Sequence, residues 1–211
     1  MFKASFCSKD KKRIMKNKYS AILIFGPPGI GKGTQAKLLA ENPKYFHFST
    51  GEMFRALKEN PEMRDSEIGK KVTELIEDGN FVPDNLTIQL FYKTLQEYEE
   101  KGKYHPLEQI LLLDGIPRNS NQVDLIKDRI EVTKIVSFYC SDDSILIERL
   151  KKRAIHEGRK DDREETIRKR LEIYKNNTEE VLSKYDKSLV LRINGMNSIE
   201  KISQEVVTRL A

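Results

Sequence analysis

Five short apolar runs recur along the chain, at Ala21–Phe25, Tyr45–Phe48, Gln109–Leu113, Lys134–Tyr139 and Leu189–Ile193, each bounded by polar or turn-forming residues. Runs of this length and composition predict strands buried in a sheet. Helical spacing separates them, and strands that alternate with helices imply a parallel sheet covered on both faces, with ligands taken at the carboxyl ends of the strands. Between Ser49 and Lys101 the pattern predicts helices alone: Ile68, Val72, Leu75 and Ile76 share one face, and Leu86, Leu90, Leu95 and Tyr98 roughly another. Ser49 or Thr50 suits the N-cap of the first of these helices, and Pro83-Asp84 suits the start of a later one. This stretch reads as a helical insertion. The longest helix is predicted from Arg163 to Tyr185, where Ile167, Leu171, Tyr174, Thr178, Val181 and Tyr185 repeat at intervals of three and four and are assigned to the core.

Length and charge refine this picture. The 211 residues suit one α/β domain, and a hydrophobic share of 38% permits a normal core. The net charge of +5 is local: residues 1–18 hold seven bases and one acid, so the remainder sums to −1. A near-neutral body argues against a general nucleic-acid surface. Residues 1–18 are expected to be a disordered basic tail, with Met15 a second candidate start of translation. No stretch approaches the eighteen apolar residues of a membrane span. The tail is rich in lysine and carries Asp10, which favours a cytoplasmic protein over the alternative of organellar import. Cys7 and Cys140 are too few for a disulfide framework or zinc site and are read as free thiols, while His47, His105 and His156 are scattered and read as surface or core residues.

The richest local chemistry follows the first strand. Gly-Pro-Pro-Gly-Ile-Gly-Lys-Gly-Thr-Gln, residues 26–35, joins that strand directly to a helix. A glycine-rich turn there aims backbone N–H groups and the positive helix end at one point, a cradle for phosphate. Lys32 can reach the outer phosphates of a nucleotide triphosphate, and Thr34 offers a hydroxyl towards Mg²⁺. Gly33 stands where the general pattern has Ser or Thr, which narrows the subfamily. The third strand ends in Asp114, the form of an acid that positions Mg²⁺ or its water beside such a loop. Arg118 follows it, with Arg55, Arg149, Arg153, Arg159 and Arg170 elsewhere. Guanidinium forks match phosphate oxygens in pairs and keep their charge, so together these arginines fit a site that handles two phosphorylated substrates.

Four blocks make the chain resemble the adenylate kinases of the nucleoside monophosphate kinase family over about residues 20–211: GPPGIGKGTQ at 26–35, STGEMFR at 49–55, LLLDGIPR at 111–118 with Gln122, and GRKDDREETIRKR at 158–170. The resemblance implies a phosphate-loop α/β fold with a five-stranded parallel sheet in the order 2-3-1-4-5 and helices on both faces. A monophosphate-binding insertion at about 49–82 and a short lid at about 153–163, without structural zinc, complete a single domain over 19–211. It implies that Gly29, Ile30, Gly31, Lys32, Gly33, Thr34, Arg149, Arg153 and Asn197 bind ATP. Thr50, Arg55, Asn80, Phe81, Val82, Gly115, Ile116, Pro117, Arg118, Gln122, Arg159 and Arg170 would bind AMP. Lys32, Arg118, Arg153, Arg159 and Arg170 would act in catalysis, with Mg²⁺ carried by substrate phosphates and water, assisted by Thr34 and Asp114. The partners it implies are ATP, AMP and ADP, with neither nucleic acid nor membrane, for a monomer serving adenine nucleotide homeostasis.

The reaction suits these residues. An acceptor phosphate, with a second pKa of about 6, is already mostly ionised at neutral pH. Positioning and charge neutralisation then suffice, and no poised histidine is called for. Asp161 and Asp162 can pair with the arginines on closure or cap the next helix. The nearest alternative is a UMP/CMP kinase, against which Thr50, Asp84 and Gln122 speak by resemblance. The Gln122 amide can also donate and accept in one plane, matching the paired edge of adenine. Ile116 and Glu52 depart from the usual Phe and Asp, and Ile116 is expected to remove an aromatic face near the monophosphate. A silent nucleotide-binding module is the alternative of another class, and it predicts the loss of Lys32, Arg118, Arg159 or Arg170, all of which are present.

Overall fold

The computed structural model describes residues 18–211 except 79, 81, 160 and 161. The basic tail, Cys7, Met15, Phe81 and Asp161 therefore lie outside the described residues. The strands are β1 (Tyr19–Phe25), β2 (Tyr45–Ser49), β3 (Ile110–Asp114), β4 (Ile130–Tyr139) and β5 (Val190–Asn194). All pair in parallel, in the order β2-β3-β1-β4-β5. The helices are α1 (Lys32–Leu39), α2 (Thr50–Glu59), α3 (Pro61–Asp65), α4 (Glu67–Glu77), α5 (Asp84–Glu100), α6 (Ser120–Ile126), α7 (Asp143–Glu157), α8 (Glu164–Ser183) and α9 (Ile199–Leu210).

The apolar runs alternate their side chains between two cores, one on each face of the sheet. Ala21, Leu23, Phe25, Leu111 and Leu113 join Phe91 and Leu95 of α5 and Ile126 of α6 on one side. Ile22, Ile24, Leu112 and Val136 meet Ala36 of α1, Leu146 and Leu150 of α7, and Ile202 and Val206 of α9 on the other. The 20-residue α8 serves both, with Ile167 and Leu171 in the second core and Val181 in the first. Among the described residues no helix is long and apolar enough to cross a membrane.

The strand boundaries shift by up to four residues from the apolar runs, most at the start of β4. Leu189 closes a 3₁₀ turn, Lys187–Leu189, begun by the Asp186 side chain accepting from the Ser188 N–H. β4 starts ahead of its continuous apolar run because residues 130–133 alternate, with Ile130 and Val132 turned to the first core, and pair with β1 through the main chain; the register slips beside Ala21, whose carbonyl accepts from the Thr133 hydroxyl at 3.1 Å. Within the helices, Ser49 rather than Thr50 caps α2. Ile68 is 52% exposed, contrary to its expected place on the apolar face of α4, because the inward face runs Gly69, Val72, Ile76 and leaves it one position off.

Strand register positions the functional end of the sheet. Ser49 pairs with Asp114, and Asp114 with Ile24, so β2, β3 and β1 finish abreast. The loop after β1, the Asp114–Arg118 turn and the start of α2 therefore share one edge, where β1 has β3 on one side and β4 on the other. Crevices at such an edge receive ligands in open α/β sheets.

Candidate active site

A cleft of about 900 Å³ opens at this edge. Its wall begins with the phosphate loop, where Gly26, Gly29 and Gly31 adopt φ values of +152°, +83° and +101°. At Gly29 the constraint is double: a Cβ would also lie 2.9 Å from the Leu146 carbonyl oxygen and from Leu150 Cγ. α1 thus opens on Lys32 with no side-chain cap on its free N–H groups, which leaves them to an anion. Lys32 Nζ donates to the Gly26 and Pro27 carbonyls at 2.8 and 3.1 Å. Enclosure in the cleft pushes its ammonium down to about 8; Asp114 opposes that fall, while Arg118, Arg170 and Arg153 add to it.

Asp114 faces Lys32 from the end of β3. Burial alone would raise its carboxyl, but His47 beside it, then Lys32 and Arg118, hold it below the usual carboxylate range. His47 is a functional-wall residue that sequence reasoning assigned to surface or core. Its Nε2 lies 3.7 Å from Asp114 Oδ2, within ion-pair reach but without a hydrogen bond, and the ring lines the cleft. The only signal for it was its place two residues before the end of β2, which the register sets beside β3.

The opposite wall is built on β3's following turn. Gly115 has φ +85°, and a Cβ there would meet Thr50 Oγ1 at 2.5 Å, so glycine is required for the close approach of the Thr50 hydroxyl to the Gly115 carbonyl at 3.0 Å. Arg118 Nε donates to that same carbonyl at 2.8 Å. Arg118 is exposed on the cleft wall, where the surrounding protein, then the like charge of Arg170, push its guanidinium down to about 10, still charged at neutral pH. Arg55 of α2 curls back over Gly51, and Asn80, Val82 and Gln122 complete this wall.

A third group gathers between α7 and α8. Arg153 Nε and Nη2 grip Asp162 Oδ2 and Oδ1 at 2.7 and 2.8 Å, Arg170 Nη1 reaches Oδ1 at 3.0 Å, and Arg159 Nε stands 3.7 Å from Oδ2. Asp162 has no exposed side-chain surface. The structure thus takes the ion-pair reading of Asp162; the N-cap of α8 is Arg163. Arg149 donates to the Gly195 carbonyl at 3.3 Å, and Asn197 follows on the same wall.

Of the residues singled out from the sequence, the phosphate loop from Gly29 to Thr34, Asp114, the six arginines, Thr50, Asn80, Val82, Gly115, Pro117, Gln122 and Asn197 line the cleft. Ile116 does not: it is 1% exposed within the first core, so the expected loss of an aromatic face at the monophosphate gives way to a packing role. Tyr174 and Thr178, read as core, line the cleft because the α8 stripe turns from the core into it. Thr87, unflagged by the sequence, also lines it and donates to the Val82 carbonyl at 3.3 Å.

The donor set for a metal is sparse. Among the described residues no cluster of three or more His, Cys, Asp or Glu side chains forms a cage. One partly buried carboxylate, Asp114, with Thr34 lining the same cleft, fits Mg²⁺ that arrives on phosphates and keeps its water.

Fold and loop together define a phosphate-loop α/β protein whose cleft is organised for anions. Residues 24–190 match the family model described as adenylate kinase. Similar proteins include the adenylate kinases of Clavibacter michiganensis subsp. michiganensis, 35% identical over 90% of this chain and 92% of its own length, and of Prochlorococcus marinus, 38% identical over 90% and 98%. Adenylate kinase 1 of a Nostoc species is 35% identical over 90% of this chain and 97% of its own. The chain belongs to the adenylate kinase family.

Proposed function

We propose that this protein transfers the terminal phosphoryl group of MgATP reversibly to AMP, giving two ADP, as a monomeric cytoplasmic enzyme of adenine nucleotide homeostasis. The observation that supports it best is one cleft lined by both a phosphate loop and the Arg55, Arg118 and Gln122 wall, with Arg153, Arg159 and Arg170 opening into it. On this reading Gly29 to Thr34, Arg149, Arg153 and Asn197 hold ATP. Thr50, Arg55, Asn80, Val82, Gly115, Pro117, Arg118 and Gln122 hold AMP. Lys32, Arg118, Arg153, Arg159 and Arg170 balance the charge that spreads over the moving phosphoryl group, and preorganised cations act best in a water-poor cleft. Mg²⁺ would neutralise and bridge the phosphates, with Asp114 and Thr34 orienting its water. The acceptor oxygen of AMP carries charge already, so His47 is not needed as a base. Water is the competing acceptor, and the segments 49–82 and 153–163 are the parts assigned to enclose AMP and ATP before transfer.

The test is ADP formation from MgATP with AMP, UMP, CMP or GMP offered separately. AMP is expected to be turned over fastest; UMP or CMP at an equal or higher rate would make this a pyrimidine nucleotide kinase. A second expectation comes from Lys32. With its free ammonium near 8, it is mostly neutral at pH 8.5 and recovers its proton when phosphates enter. ATP binding should therefore take up little proton through Lys32 at pH 7 and a large fraction of one at about pH 8.5, read by calorimetry in buffers of different ionisation enthalpy. Lys32→Met should abolish the difference; uptake that survives it would assign the proton elsewhere.

A further inference from the structure

The wall that carries Gln122 is held from behind by one carboxylate. Asp84, the first residue of α5, accepts from Asn119 Nδ2 at 2.9 Å, Asn121 Nδ2 at 2.8 Å and Gln122 Nε2 at 2.7 Å. At the other end of the Gln122 amide, Oε1 accepts from the Arg118 backbone N–H at 2.8 Å. An ionised carboxylate only accepts, and a backbone N–H only donates. Nε2 must therefore face Asp84 and Oε1 must face Arg118. Turning the amide over would set acceptor against acceptor at one end and donor against donor at the other. Asn119 secures the main chain beneath, since its Oδ1 caps α6 by accepting from the Gln122 N–H at 2.8 Å. Gln122 lines the cleft, whereas Asp84, Asn119 and Asn121 do not.

A primary amide has two N–H donors and two carbonyl lone pairs, so after these contacts one of each remains. Gln122 can thus offer a base one donor and one acceptor in an order it cannot reverse. Adenine presents an amino donor beside a ring-nitrogen acceptor, whereas hypoxanthine and guanine present an oxo acceptor beside a ring N–H donor. We infer that Asp84 is a positioning residue that sets the preference for 6-amino over 6-oxo purine monophosphates by locking the direction of the Gln122 amide. The inference rests on the reading of Gln122 as the residue that meets the base. Cytosine shares the amino-beside-acceptor order, so the lock sorts amino from oxo bases and leaves purine against pyrimidine to the rest of the cleft.

The experiment compares kcat/KM for AMP and for IMP in the full-length protein and in Asp84→Leu, Asp84→Ala, Asn121→Ala and Gln122→Ala, with thermal midpoints measured alongside. Freed from its partner, the amide can turn to serve either order. Both Asp84 variants should lower the AMP to IMP ratio about tenfold or more, by raising KM for AMP and lowering it for IMP. Asn121→Ala removes a donor from the same carboxylate without touching Gln122 and should keep the ratio. Asp84→Leu keeps the approximate shape of the carboxylate without any acceptor and is read first where Asp84→Ala loses the fold. Equal proportional losses with both substrates in the Asp84 variants would mark a structural role and overturn the inference. A ratio lowered by Gln122→Ala but retained by both Asp84 variants overturns the positioning role alone; a ratio retained by Gln122→Ala overturns the reading of Gln122 and the inference with it.

Discussion

Arg118→Ala is expected to lower kcat by roughly 10³-fold or more while leaving the thermal midpoint of the free protein nearly unchanged. The two halves of this expectation come from one feature. Arg118 is anchored by its Nε to the Gly115 carbonyl at 2.8 Å, so its charge is held in the cleft whether or not a ligand is present. That position is uncomfortable in the free protein: the surrounding protein and the like charge of Arg170 push the guanidinium down to about 10. A base whose affinity for protons falls on folding costs stability while it is charged, which offsets the hydrogen bonds that its removal gives up, so the midpoint moves little. The same repulsion becomes attraction when phosphates enter, most strongly where the transferring group spreads its charge. Steady-state kinetics and a melting curve test both halves. A rise in KM for AMP with kcat intact would limit Arg118 to ground-state binding. A midpoint several degrees lower would make it a structural residue. Arg118→Lys keeps the charge but loses the fork, and should recover only part of kcat.

What was legible in the sequence was whatever is local along the chain. The phosphate loop, the acid that ends β3 and the arginines are chemistry-bearing residues in short blocks, and glycine spacing reports directly on backbone conformation, as Gly29 and Gly31 show. The sheet order came through family resemblance, whereas the apolar runs alone predicted only a parallel sheet. The residues that escaped depend on which strand lies beside which. His47 meets Asp114 across 67 positions because of the β2–β3 register, and a lone histidine on a half-buried strand carries no such signal. Tyr174 and Thr178 share the helical period of Ile167 and Leu171, and the period cannot tell where α8 leaves the core and turns into the cleft. Ile116 misled for the opposite reason: it sits inside a block of cleft residues, yet its side chain points into packing. Asp84 was noticed only as one position among three, and its purpose emerges from a network spanning 38 positions to Gln122.

Asp162→Asn should cost the free protein about 3 kcal/mol, and much of that loss should vanish when adenine nucleotides are bound. The carboxylate has no exposed surface and serves Arg153 in two bonds, Arg170 in one and Arg159 by charge. An asparagine keeps the shape but gives up the charge and turns one acceptor into a donor, which leaves three guanidiniums facing one another in a partly enclosed space. For a chain of this length such a loss corresponds to a midpoint lower by roughly 6–12 °C. Phosphate oxygens are the other anions these arginines can grip, and they match the forks in the same paired way. Saturating MgATP with AMP, allowed to equilibrate, should therefore narrow the gap between variant and parent midpoints by half or more, since a ligand that binds the variant relatively better stabilises it more. A gap of the same size with and without nucleotide would mean that Asp162 secures the junction of α7 and α8 for its own sake. A gap that closes would identify it as the stand-in anion that keeps the three arginines in register until phosphate displaces it.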